Sequence, residues 1–90
     1  MSEGLYTEIG RLGILCGFVQ LKAGTYKNTD IFFTLPSACQ QSTYFLGNVN
    51  SDNKILHIAK NAKEVAFNSS TGITFNTEVY LFMNATFAIK

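Results

Sequence analysis

The sequence predicts an all-β fold: a small antiparallel β-sandwich or a jelly-roll-like barrel. Three observations lead there. Apolar and polar residues alternate with a period of two through most of the chain, the mark of strands with one buried face. Clusters of Asn, Asp, Gly and Ser break the alternation at short intervals, as turns do between short strands. No stretch sustains a helical period. Apolar residues recur at about every third position from Ile58 to Phe67, but Asn61 interrupts them and the flanks are β-branched or aromatic.

Taken in order, Leu12 to Leu21 reads as a long strand that is apolar on both faces. Leu12, Ile14, Cys16 and Phe18 lie on one side, and Leu15, Val19 and Leu21 on the other. Lys22-Ala23-Gly24-Thr25 and Lys27-Asn28-Thr29-Asp30 flank a loop around Tyr26. Ile31 to Pro36 is a strand reaching a corner, because the proline ring has no N–H to continue a ladder. Thr43 to Val49 is a strand in which Gly47 marks a bulge or a close approach.

Asn50-Ser51-Asp52-Asn53 then supplies a tight hairpin, since Asn and Asp tolerate positive φ. Ile55, His57 and Ala59 alternate with Leu56, Ile58 and Lys60, and Asn61-Ala62 marks the next reversal. Glu64 to Phe67 is a short strand, and Asn68 to Gly72 a polar loop. The last strand is the clearest: Val79, Leu81, Met83, Ala85, Phe87 and Ile89 face the core, and Tyr80, Phe82, Asn84, Thr86 and Ala88 face away.

Ninety residues make one domain, near the low end of what folds alone. Hydrophobic residues are 47% of the chain and charged residues only 14%, well below the usual quarter. A lone domain of this size has too much surface to hide that much apolar material, so self-association is expected. The predicted interface residues are Leu15 and Val19, on the second apolar face of the long strand, with Tyr80 and Phe82 on the last one; the alternative for the long strand is a central place in a tight sandwich, with both faces buried within one chain. The net charge is +1, with basic residues scattered, which removes the electrostatic footprint of a nucleic-acid binder. No basic amphipathic face or long apolar run suits membrane insertion. Cys16 and Cys39 sit in apolar surroundings and are expected to be buried free thiols. Two distant cysteines and one histidine do not form a metal site.

The ordered set of elements resembles a known type. It comprises Arg11-x-Gly13, the apolar strand with Gly17, Ala23-Gly24, Thr34-Leu35-Pro36, Tyr44 to Asn48, the hairpin Asn50 to Lys54, Leu56-x-Ile58, Asn61, Val65, Ser70-Thr71-Gly72 and the closing strand. It is similar to the C-terminal head domains of receptor-binding proteins of tailed bacteriophages, in particular phages of Gram-positive lactic bacteria. The likeness runs from about Tyr6 to Lys90. It implies a homotrimeric head at the tail tip or baseplate of a virion, made in the host cytoplasm. Such a head binds host cell-surface saccharides without catalysis or cofactor. It docks to other tail proteins through an N-terminal region, with Met1 to Gly4 read as the end of a neck segment or a remnant of excision from a longer chain. Some related heads hold the sugar with a tryptophan and a histidine. This chain has no tryptophan, and His57 is its single histidine.

A saccharide site needs an aromatic plane for the apolar side of a pyranose and planar polar groups for its hydroxyls. Candidate stacking faces are Tyr6, Tyr26 and Tyr44, and Asn48, Asn50, Asp52, Asn53 and His57 lie around one hairpin; the predicted contacts are Tyr44, Tyr26, Asn48, Asn50, Asp52 and His57. For each Asn or Asp the plainer role is turn formation, and for His57 an ordinary strand position. No G-x-S-x-G elbow is present, and the scattered glutamates Glu3, Glu8, Glu64 and Glu78 belong to a chain too short for a deep glycosidase cleft. The competing expectation is a trimeric assembly module of the same virion that binds no sugar.

Overall fold

A computed structural model describes the backbone from Ser2 to Lys90 and the side chains from Tyr6 onward. Nine strands form in chain order: β1 (Ser2–Ile9), β2 (Leu12–Leu21), β3 (Gly24–Tyr26), β4 (Phe33–Thr34), β5 (Thr43–Val49), β6 (Asp52–Ile58), β7 (Glu64–Phe67), β8 (Ile73–Phe75) and β9 (Val79–Ala88). Seven of them make one antiparallel sheet in the order β1-β2-β9-β5-β6-β7-β4, and β3 pairs with β8 in a separate ribbon. The all-β antiparallel expectation therefore stands. One long sheet curls around a core, and the small β3–β8 ribbon packs against that same core.

Turn chemistry explains the hairpins. Asn50 and Ser51 take φ of 50° and 70°, the double positive φ of a type I′ turn. That turn sets β5 against β6 with Val49 opposite Asp52. Asn61 takes φ of 64° at the reversal that leads to β7. β1 meets β2 through Gly10-Arg11, with Ile9 opposite Leu12. The sequence reading assigned no strand to β1, because its polar start carries no clear alternation.

Segment 35–40 closes one end of the curl. Leu35 N donates to the Lys63 carbonyl at 2.8 Å, and Cys39 N donates to the Ala62 carbonyl at 3.0 Å. On the other side Gln40 N donates to Ala88 O, Lys90 N donates to Ala38 O, and Cys39 bridges Ile89. The chain turning at Pro36 thus ties the β6–β7 reversal to the end of β9, and its Leu35 and Cys39 plug the core. Only Phe33 and Thr34 of the predicted Ile31–Pro36 strand pair in a ladder.

The concave face holds the core: Leu15, Val19 and Leu21 of β2, Leu56 and Ile58 of β6, Val65 and Phe67 of β7, and Leu81 and Met83 of β9. Leu15 is 0% exposed and Val19 is 5% exposed. This corrects two of the predicted interface residues. Both faces of β2 are apolar, but the face carrying Leu15 and Val19 is the one that turns inward, opposite Ala85 and Leu81 of β9. These side chains are spent on the chain's own core and cannot meet another copy.

Gly47 is the close approach anticipated in β5. A Cβ there would stand 2.7 Å from Leu81 Cδ1 and 2.9 Å from Leu56 Cδ1, and both leucines are fully buried. Neither has free space to yield into, so Gly47→Ala is expected to cost about 1–3 kcal/mol by overpacking. Chemical denaturation read by circular dichroism checks this as a lowered midpoint with an unchanged slope.

At the β1 end of the core, Tyr6 Oη donates to Glu8 Oε2 at 3.0 Å, and the ring stacks on Phe87 with centroids 6.2 Å apart. Burial, followed by the adjacent Glu8 carboxylate, raises the Tyr6 phenol above its ordinary value of 10.0. The folded chain therefore holds this proton more tightly than the unfolded chain. Stability from Tyr6 is complete below about pH 10 and is lost as pH climbs beyond it toward the folded value. Alkaline melting should show this loss, and Tyr6→Phe should flatten it.

Candidate functional site

The convex face of the curled sheet carries what the core does not use. In β9 its side chains are Tyr80, Phe82, Asn84, Thr86 and Ala88, which alternate with the buried Val79, Leu81, Met83 and Phe87. Their cross-strand neighbours in β2 are Gln20, Phe18, Cys16, Ile14 and Leu12. On the other side β5 contributes Tyr44, Leu46 and Asn48, opposite His57, Ile55 and Asn53 of β6. None of these residues carries a carboxylate, an ammonium or a guanidinium. Eight large apolar residues are exposed among those described, and all but Ile31 lie on this face.

The face has two ends of different character. At one end Phe18 meets Tyr80 edge-on and Phe82 at a tilt, with 5.4 Å between centroids in both pairs. At the other end Tyr44 and His57 stack face to face, 4.3 Å apart and 16° from parallel. Tyr44 is 59% exposed, so its outer plane is free. His57 Nε2 is shut off from solvent and has no hydrogen-bond partner among the described residues. What the geometry gives His57 is therefore a backing role: its ring holds the Tyr44 plane. A buried nitrogen left unmatched costs about 1–3 kcal/mol. His57→Phe keeps the stack and removes that cost, so the melting temperature should rise by several degrees, at about 4–8 °C per kcal/mol.

Two depressions open on this face. One, of about 350 Å³, lies between Leu46 and Phe82 and is bordered by the amides of Asn48, Asn53 and Asn84. The backbone of Gly17 and Gly47 also lines it. The other, of about 410 Å³, lies where β5 and β9 diverge past Gly47 and Met83, the last pair toward Thr43 that the two ladders share. Its lining is mostly hydroxyl and amide: Gln41, Ser42, Thr43 and Thr86, with Tyr44 beside them. No carboxylate lines either depression.

The six residues predicted for saccharide contact do not come together. Tyr44 and His57 do, as the stacked pair. Asn48 faces Asn53 across the ladder, its Nδ2 donating to Asn53 Oδ1 at 3.4 Å, and both border the first depression. Asn50 is consumed by the turn, and Asp52 is paired beside it. Asp52 and His57 are five residues apart on an extended strand, roughly 17 Å, which separates them as co-ligands. Tyr26 lies on the opposite side of the sheet. Its ring packs on Phe67 and Phe75, and its hydroxyl donates to the Lys22 carbonyl at 2.8 Å.

Sequence reasoning also missed residues that the face exposes. Asn84 and Thr86 were read only as the polar side of β9, Thr43 only as the first residue of its strand, and Gln41 and Ser42 were assigned no role. Cys16 is exposed beside Asn84, which corrects the expectation of two buried thiols; Cys39 is buried as expected, and both are free. Burial raises the Cys39 thiol above its ordinary value, so it stays protonated and unreactive at neutral pH.

No family model matches this chain, and no curated protein or solved structure matches it.

Proposed function

We propose that this chain is the non-catalytic head domain of a tailed-phage receptor-binding protein, a homotrimer that attaches the virion to a host cell-surface saccharide. The observation that carries the reading is the exposed Tyr44 plane, braced by His57 and bordered by the hydroxyl and amide depression of Gln41, Ser42, Thr43 and Thr86. An aromatic plane stacks on the C–H side of a pyranose, and the neighbouring groups exchange hydrogen bonds with its hydroxyls. Asn48 and Asn84 extend the same chemistry along the β5–β9 seam. The described residues of β2, β5, β6 and β9 on this face carry no charge, which suits an uncharged polysaccharide segment. The site is shallow and open, so each hydrogen bond competes with water and single-site affinity is modest. Several copies on one tail tip would raise the overall strength by avidity.

A second reading, a trimeric tail or baseplate assembly module without sugar binding, draws on a different observation: the apolar end around Phe18, Tyr80 and Phe82. One experiment separates the two. The purified domain is titrated with wall polysaccharide prepared from Gram-positive hosts, and binding is read by calorimetry and by whole-cell adsorption. Saturable binding that Tyr44→Ala weakens supports the receptor-binding reading. Loss of self-association with Tyr80→Glu, together with no polysaccharide binding by any form, supports the assembly module.

A further inference from the structure

We propose that the depression between Leu46 and Phe82 receives the Tyr80 side chain of a second copy of this chain, so that the convex sheet face closes against its own kind. The inference deepens the self-association in the proposed function and does not depend on saccharide binding. Three observations point to a second copy rather than to another occupant.

The first is composition. The stretch of face between β2 and β6 exposes Tyr80, Phe82, Leu46 and Ile55 with no charged side chain among them. Charge depletion with aromatic enrichment characterises the centre of a protein interface. It gives nothing to a nucleic acid or to an anionic membrane, both of which need clustered cations.

The second is shape. Tyr80 is 47% exposed and is propped edge-on by Phe18, so it stands as a fixed knob. The hollow, of about 350 Å³, is close by on the same face, with Phe82 as one of its walls. Leu46 and Phe82 offer apolar contact to an entering ring, and Asn48, Asn53 and Asn84 offer amides to its hydroxyl. The hollow thus offers an entering tyrosine apolar walls for its ring and amides for its hydroxyl within one surface.

The third is area. Four strands at a spacing of about 4.8 Å, each running about seven residues at about 3.4 Å, give a footprint on the order of 450 Å² in plan. Counted from both copies, with the relief of the side chains added, this reaches the ~1,000 Å² at which specific interfaces begin. A reciprocal exchange between two copies and a ring of three use the same knob and the same hollow.

The test is sedimentation equilibrium on the full chain, with circular dichroism to establish that each variant is folded. Wild type should self-associate. Tyr80→Lys and Leu46→Glu should each weaken association by roughly tenfold or more while remaining folded, because both positions are exposed. An equimolar mixture of the two variants should associate again as mixed pairs, since a lysine knob then meets a glutamate in the hollow, whereas a mixed ring of three keeps one mismatched contact and is only partly restored. A wild-type mass of two or three chains supports the inference; a mass of two overturns only the trimer. A wild type that stays monomeric at high micromolar concentration overturns it, as does association that both variants leave untouched. A monomer that binds phosphatidylcholine vesicles also overturns it by assigning the face to lipid. Polysaccharide titration of the same samples reads the receptor-binding proposal separately.

Discussion

Replacing Phe67 with alanine should remove most of the stability of this domain. The ring is 0% exposed and lies 5.2 Å from Phe32, 5.9 Å from Tyr26 and 6.0 Å from Phe75. These partners come from β3, β8 and the segment leading into β4, so Phe67 is the point at which the ribbon and one edge of the sheet are fastened to the core. The β3–β8 ribbon is joined by only three residue pairs and cannot hold its place without that contact. A buried Phe→Ala change costs about 3–5 kcal/mol. Small domains have about 5–15 kcal/mol in total, and this one lies toward the lower end by size. At about 4–8 °C per kcal/mol the melting temperature should fall on the order of 15–30 °C. Phe82→Ala, on the convex face, should change the monomer's stability far less. Equal losses from the two substitutions would contradict the assignment of inside and outside.

The contrast between these two phenylalanines marks where the sequence is legible. β9 alternates between large apolar and smaller polar residues, and its buried face was read correctly down to Ile89. β5 and β7 were bounded by turn residues and fell where those residues put them. β2 was different. With Leu, Ile, Val, Cys and Phe on both faces, the period of two survives but its phase carries no information. The phase is set by register against β9, where Val19 meets Leu81 and Phe18 meets Phe82, and that pairing is not a local property. β3, β4 and β8 have three, two and three residues, too few for any period to show. Part of the site is legible from the turn. A two-residue type I′ turn at Asn50-Ser51 fixes the whole β5–β6 register. Counting outward equally from each turn residue brings Tyr44 opposite His57 and Asn48 opposite Asn53. The same count separates Asp52 from His57. Sequence proximity had grouped the hairpin residues, whereas alternation and register decide which of them share a face.

If the proposed saccharide site is right, Tyr44→Ala should abolish most of its affinity without unfolding the chain. Tyr44 is 59% exposed, so truncation leaves no buried cavity, and the core beneath it belongs to Phe45, Leu56 and Ile58. What is lost is the plane on which a sugar ring rests. Aromatic contact contributes about 0.5–1.5 kcal/mol beyond its share of buried area, so the combined loss corresponds to roughly tenfold or more in the dissociation constant. His57→Phe separates the two ways in which the histidine can act. If the ring only braces Tyr44, binding survives and stability rises. If His57 bonds a hydroxyl, binding falls together with that of Tyr44→Ala. Asn50→Gly supplies the opposite control. Glycine satisfies the positive φ of the turn, and Asn50 lies away from both depressions, so binding should be unchanged. A domain whose binding follows Asn50 rather than Tyr44 would put the saccharide at the hairpin tip and remove the seam between β5 and β9 from consideration.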